Sequence, residues 1–159
     1  LSLRSLNIND LLANLFVHFL GAMMTVTEGV TKGASRLLVD MGYAPLSEVS
    51  LTNKRRVDIV GLNKSGKLIV VEVKSGLSDF RGDQKWQEYL PYCHAFYFAV
   101  ETSLPEETGI IIADQFGGDI VRPAASRKVN AKRAKTLIEK MARTGALRLF
   151  QPTNYEQYL

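Results

Sequence analysis

Apolar residues along the chain follow two spacings, and the switches between them outline the elements. Over 25–43, "TVTEGVTKGASRLLVDMGY", Val30, Ala34, Leu37, Leu38 and Met41 recur at the three- and four-residue intervals of a helix face. Thr25 and Glu28 have capping-box spacing in front of that stripe, and Gly42 supplies the stop. Short apolar runs predict strands at about 47–51, 55–62 and 67–74. A helix from about Asp79 to Leu90 follows, stopped by Pro91, and then strands at 94–100, 109–114 and 118–122. The last helix covers about Asn130 to Leu149. This order predicts an α/β fold, one mixed central sheet flanked by helices on both faces.

One further apolar stretch, "LLANLFVHFLGAMM" (11–24), places Leu12, Leu15, Phe16, Phe19, Leu20 and Met23 on one helical stripe. It is shorter than the ~20 apolar residues that span a bilayer. It also lacks the basic region and small-residue cleavage site of a signal peptide. No membrane attachment is expected; a docking or dimer helix is one reading, and a true start at Met23 or Met24 another. The expected division is an apolar extension over 1–24, a single domain over 25–150 and a tail over 151–159.

Composition narrows the classes. The 159 residues are 46% hydrophobic and 23% charged, enough for one domain with a proper core. A single cysteine, Cys93, and two histidines, His18 and His94, exclude a zinc knuckle and a disulfide scaffold. A reducing cytoplasm is the corresponding expectation. Cys93 and His94 are neighbours in sequence, whereas a nucleophilic dyad needs opposition in space. The net charge of +4 is uneven: residues 1–119 hold 11 Lys/Arg against 14 Asp/Glu, and 120–150 hold nine against Glu139 alone. A basic segment on a mildly acidic body suits a polyanion partner such as DNA, or is a solvated helix face.

The chemistry concentrates in "RRVDIVGLNKSGKLIVVEVKS" (55–75), where two apolar runs each carry one acid. A three-residue hairpin loop most often ends on a left-handed glycine, and Lys64-Ser65-Gly66 fits. Asn63 then pairs with Lys67, and Asp58 lies opposite Glu72. Opposed side chains sit ~5 Å apart, and like charges there repel. Alternation puts Lys74 on the face of Glu72 and sends Val57, Ile59, Val71 and Val73 to the other. Mg²⁺ or Mn²⁺ accounts for two converging carboxylates, with Lys74 orienting or activating an acidified water. The plainer alternative is that Lys74 merely pairs with one carboxylate at a sheet end.

These residues carry a resemblance. "VDIV…VVEVKS" resembles the metal-binding core of the PD-(D/E)XK nuclease superfamily, with Val57 where that motif has proline. More specifically, "RRVDIVGL", "VVEVKSGLSDFRGDQKWQEYLPYCHAFYFAV" and "GIIIADQFGGDIVRPA" resemble the MmcB family of bacterial DNA-repair-related proteins. The resemblance implies a restriction-endonuclease-like core, a DNA-repair setting with other repair proteins as possible partners, and Mg²⁺-dependent endonuclease chemistry. It implies Asp58, Glu72 and Lys74 as catalytic residues, with Asp58, Glu72 and the Val73 carbonyl as metal ligands. Many members add an acid from the first helix. Glu28 is the candidate there, and Glu48 on the preceding strand is its rival.

DNA contacts are expected from two places. Arg81, Lys85 and Tyr89 recur every four residues after the motif, approximating a Gln-x-x-x-Tyr signature of some superfamily nucleases. Trp86 beside them reads as a core anchor. Arg55 and Arg56 lead into Asp58, either gripping phosphate or balancing the acids. Lys132, Arg133 and Lys135 head the basic helix. A nuclease-fold module that binds or scaffolds DNA with little turnover is the alternative function.

Overall fold

The computed structural model of the protein describes residues 25–74, 76, 85–101 and 108–150. In chain order these form α1 (Val26–Asp40), β1 (Tyr43–Ser50), β2 (Arg56–Asn63), β3 (Leu68–Lys74), a 3₁₀ helix (Trp86–Tyr92), β4 (Ala95–Val100), β5 (Gly109–Ala113), β6 (Gly118–Arg122) and α2 (Ala131–Phe150). The strands lie in one sheet in sequential order. β1, β2 and β3 are antiparallel, β3, β4 and β5 parallel, and β6 antiparallel to β5. Parallel pairing brings the carboxyl ends of β3, β4 and β5 to one end of the sheet. A helix, three antiparallel strands and the parallel strands beyond them form the expected α/β fold, one mixed sheet flanked by helices.

Each sheet face has its own helix layer. On one face Val30, Ala34 and Leu38 of α1 pack on Ile59, Ile69, Val71, Val73 and Ile111. On the other, Leu137 and Met141 of α2 join Tyr89 and Tyr92 of the 3₁₀ helix over Leu68, Val70, Phe96 and Phe98. The capping box predicted for α1 is present: the Thr25 hydroxyl accepts the Glu28 N–H at 3.2 Å, and Glu28 accepts the Thr25 N–H at 2.8 Å. Gly33 lets α1 press onto the β5–β6 turn, since a side chain there would strike the carbonyls of Asp114 and Gly117. Met41, expected on the buried stripe, caps the helix and is 38% exposed because the helical repeat has ended. Among the described residues no helix is long and apolar enough to cross a membrane. The stripe expected at 11–24 lies outside the described residues.

The β2–β3 turn has the predicted register. Asn63 N–H donates to the Lys67 carbonyl at 3.1 Å, Gly66 has φ 78°, and Leu62 pairs with Leu68. The Asn63 side-chain oxygen also accepts from the Ser65 and Lys67 N–H groups. Next to this end, His94 fastens β3 to β4: its Nδ1 accepts the Leu68 N–H at 3.0 Å and its own N–H donates to the Leu68 carbonyl.

The segment before β4 differs from expectation. Residues 77–84 lie outside the described ones, and the following turn is 3₁₀, with Pro91 inside it. Trp86, Tyr89 and Tyr92 stand three apart, the period of a 3₁₀ helix, so all three rings turn to the same side. The Trp86 ring stacks on Phe96 at 5.5 Å and meets Phe98 edge-on at 5.9 Å. Aromatic anchoring at period three overrides the four-residue spacing of Lys85 and Tyr89.

Candidate active site

β3 alternates between the two layers, and its α2-facing side changes character along its length. Leu68 and Val70 pack into the core, whereas the next two side chains on that face are Glu72 and Lys74. Both are buried, 8% and 7% exposed. Lys74 Nζ lies 3.5 Å from Glu72 Oε1. Glu72 neighbours Phe98 and Lys74 neighbours Val100 across the parallel ladder, so the pair has an apolar wall on the β4 side. Charges in such surroundings interact more strongly than in water.

Asp58 approaches from β2. The β2–β3 ladder runs from Leu62↔Leu68 to Ile59↔Val71, and its next step would set Asp58 opposite Glu72, as predicted. There the ladder stops. Asp58 Oδ2 accepts the Val73 N–H at 2.8 Å, taking the place of a β2 backbone carbonyl. A strand residue presents its N–H and C=O toward the same neighbour, so the Val73 carbonyl faces the β2 side too. Burial pushes the Asp58 carboxyl above its ordinary range, and nearby Glu48 adds to this, against the pull of the Val73 N–H, Lys74 and Arg56.

β1 is irregular at the same level. It pairs with β2 from Tyr43↔Asn63 to Ser47↔Ile59 and resumes at Val49↔Val57, omitting Glu48 opposite Asp58. Glu48 has φ 55°, a left-handed conformation costing a non-glycine residue roughly 1–2 kcal/mol. Arg148, in the last turn of α2, donates to the Ser47 carbonyl at 2.5 Å and the Glu48 carbonyl at 2.9 Å. Beyond this point both strands have changed faces: Val57 lies in the α2-side cluster with Val60, while Ile59 lies on the α1 side. The expectation that Val57 shares a face with Ile59 is therefore corrected. Unbroken alternation does not pass through a left-handed residue and its unpaired neighbour.

Of the two candidates for a further acid, Glu48 is the one beside Asp58, its carboxylate 2.8 Å from Arg56 Nη1. Glu28 is exposed at the start of α1, where its bonds to Thr25 hold its carboxyl below the ordinary range. Among the described residues no cluster of three or more His, Cys, Asp or Glu side chains is arranged to hold a metal. The local donor set is Asp58, Glu72 and the Val73 carbonyl. Two carboxylates with a backbone oxygen fit a hard divalent cation, which commonly takes its remaining ligands from water and phosphate.

The expected DNA contacts separate into groups. Tyr89 is a core residue, 6% exposed with its ring stacked on Phe96, so its assignment to DNA is corrected. Arg55 forms a two-pronged bond with Glu88, at 2.8 and 2.7 Å, tying the start of β2 to the 3₁₀ helix rather than presenting a free phosphate grip. Arg133 donates to the Pro91 carbonyl and lies 5.2 Å over the Tyr92 ring. Arg56, Lys85, Lys132 and Lys135 have exposed side chains, with Lys135 3.8 Å from Glu139. Arg81 lies outside the described residues. Cys93 is no ready nucleophile, since burial pushes its thiol up to about 12. The left-handed Glu48 and its Arg148 clamp carry no sequence signal beyond an arginine in a last helical turn.

Comparison with known proteins supplies the lineage. No curated protein matches the chain. A solved Silicibacter pomeroyi protein of unknown function is 35% identical, with TM-score 0.76, covering 84% of this chain and 95% of its own. A repair endonuclease from Pyrococcus abyssi is 15% identical with TM-score 0.32, covering 64% of this chain and 41% of its own. Residues 22–155 match the family described as DNA repair protein MmcB-like. The chain thus belongs to the MmcB-like family of DNA repair proteins.

Proposed function

We propose that the protein is a divalent-metal-dependent DNA endonuclease that hydrolyses phosphodiester bonds during repair. The observation that carries this reading is the end of the β2–β3 ladder. Asp58 abandons strand pairing to bond the Val73 N–H beside a buried Glu72 and Lys74. Such a group of charges disfavours folding unless something binds it. Asp58, Glu72 and the Val73 carbonyl would hold Mg²⁺ or Mn²⁺, which when bound acidifies water and stabilises charge on a phosphoryl oxygen. Lys74 orients the attacking water and keeps positive charge beside the reacting phosphate. Arg56 and Lys85, with Lys132, Arg133 and Lys135 on α2, grip flanking phosphates without reading sequence.

A second reading, a DNA-binding or scaffolding module with little turnover, has its own support. The described residues hold no third acid arranged with the first two, and Lys74 lies close enough to Glu72 to neutralise it. Purified protein incubated with Mg²⁺ or Mn²⁺ and a panel of labelled duplex, single-stranded and branched DNAs separates the two. The nuclease reading expects cleavage that chelator stops. Lys74→Ala should reduce it by at least about a hundredfold while DNA affinity stays nearly constant. Binding without metal-dependent cleavage of any member of the panel would favour the scaffold.

A further inference from the structure

The clamp on β1 connects the basic helix to the carboxylates. Glu48 is the one residue missing from an otherwise continuous β1–β2 register, and it faces Asp58. Its φ of 55° is a conformation that L side chains seldom adopt, least of all within a strand. Such a conformation persists only where the surroundings over-determine it. Here the guanidinium of Arg148, 100 residues beyond Glu48 in sequence, donates to the Ser47 and Glu48 carbonyls at once. The planar fork of arginine suits two adjacent acceptors, where a single ammonium does not.

We infer that Arg148 is a positioning residue for the carboxylate site. By pinning the left-handed turn at Glu48, it keeps Asp58 out of the β1–β2 ladder and free to reach the Val73 N–H. The face change supports this. Leu46 and Val49, three residues apart, both pack on the α2 side, as do Val57 and Val60. Both strands therefore turn over together at Glu48 and Asp58, directly where Arg148 bonds. Without the clamp, Glu48 can relax toward an extended conformation and pair with Asp58. The Asp58 carboxylate would then leave Val73, and one oxygen donor would leave the site. The same helix carries Lys132, Arg133 and Lys135, so a single element would both hold DNA and set the geometry of the acids. This role rests on the metal-site reading above only for its consequence; the geometric claim stands without metal.

The test follows the Val73 amide by hydrogen exchange in metal-free protein, with the Ile69 amide of the same strand as internal reference. Arg148→Ala should speed Val73 exchange at least about tenfold relative to Ile69. Arg148→Gln, which keeps one donor, should fall between and serves if the alanine variant does not fold. Glu48→Gly added to either variant should restore Val73 protection, because glycine adopts this backbone conformation without steric cost. Calorimetric Mn²⁺ titration of the Arg148 variants should show weakening by about the same factor. Unchanged Val73 protection in a folded Arg148 variant overturns the inference, and so does a loss that Glu48→Gly fails to restore. Wild type that ignores Mn²⁺ while Val73 behaves as described would sink the metal site and leave the clamp standing.

Discussion

The two ends of the β2–β3 hairpin are built from the same two strands and serve opposite purposes. At the closed end Asn63, Gly66 and Lys67 satisfy one another, Leu62 pairs with Leu68, and His94 ties the start of β3 to β4. At the open end the ladder is interrupted, two acids and a lysine lie together, and the adjoining strand holds a left-handed glutamate. The closed end fixes register and contributes stability. The open end carries strain and desolvated charge, which that stability supports. A one-residue slip at the turn would send Glu72 and Lys74 into the α1 layer, so the regular end is what makes the irregular end possible.

The sharpest way to separate the ends is to damage one and read the other. Leu68→Ala removes a fully buried side chain from the core and should cost about 3 kcal/mol in urea unfolding. Leu68 is four strand residues from Glu72, about 13 Å, so Mn²⁺ affinity of the folded variant should hardly change. A large loss of affinity would mean that the ends are not separable. Gly66→Ala tests the turn alone: at φ 78° alanine should cost about 1 kcal/mol, again with the metal affinity intact.

The smallest expected effect is a pH dependence of the closed end. Burial, with Lys67 nearby, lowers the His94 pKa, against the raising effect of its backbone hydrogen bond with Leu68. A folded value below the unfolded one means that the unfolded chain takes the proton first. The contribution is complete above the unfolded value of about 6.5 and is lost as pH falls from there through the folded value. His94→Asn should flatten the change in melting temperature between about pH 7.5 and pH 5. An equally steep change in that variant would place the titration elsewhere.

This contrast also explains which parts were legible in the sequence. The succession of strands, the Thr25–Glu28 cap and the hairpin register through Leu62↔Leu68 follow from local rules of periodicity and turn geometry, and each appears in the fold. The departures arise where long-range contacts override such rules. Trp86 and Tyr89 stack on Phe96 as the 3₁₀ helix takes a three-residue period around Pro91, which removes Tyr89 from the surface. Val57 changes layers because Glu48 turns left-handed under the grip of Arg148. A glycine at 48 would have betrayed the turn; a glutamate does not.

The central claim is that the open end of the hairpin is a metal site rather than a structural ion pair. Thermal melts of wild type and Asp58→Asn, each with Mn²⁺ and with chelator, test it most directly. Asparagine retains an oxygen for the Val73 N–H and removes a charge that burial disfavours. With chelator, Asp58→Asn should therefore melt at the same temperature as wild type or higher. Mn²⁺ should stabilise wild type by about 2.7 kcal/mol at a hundredfold excess over its dissociation constant, and the variant much less. A wild-type melt indifferent to millimolar Mn²⁺, together with a lower melt for Asp58→Asn, would contradict the claim and leave a charge cluster that serves the fold alone.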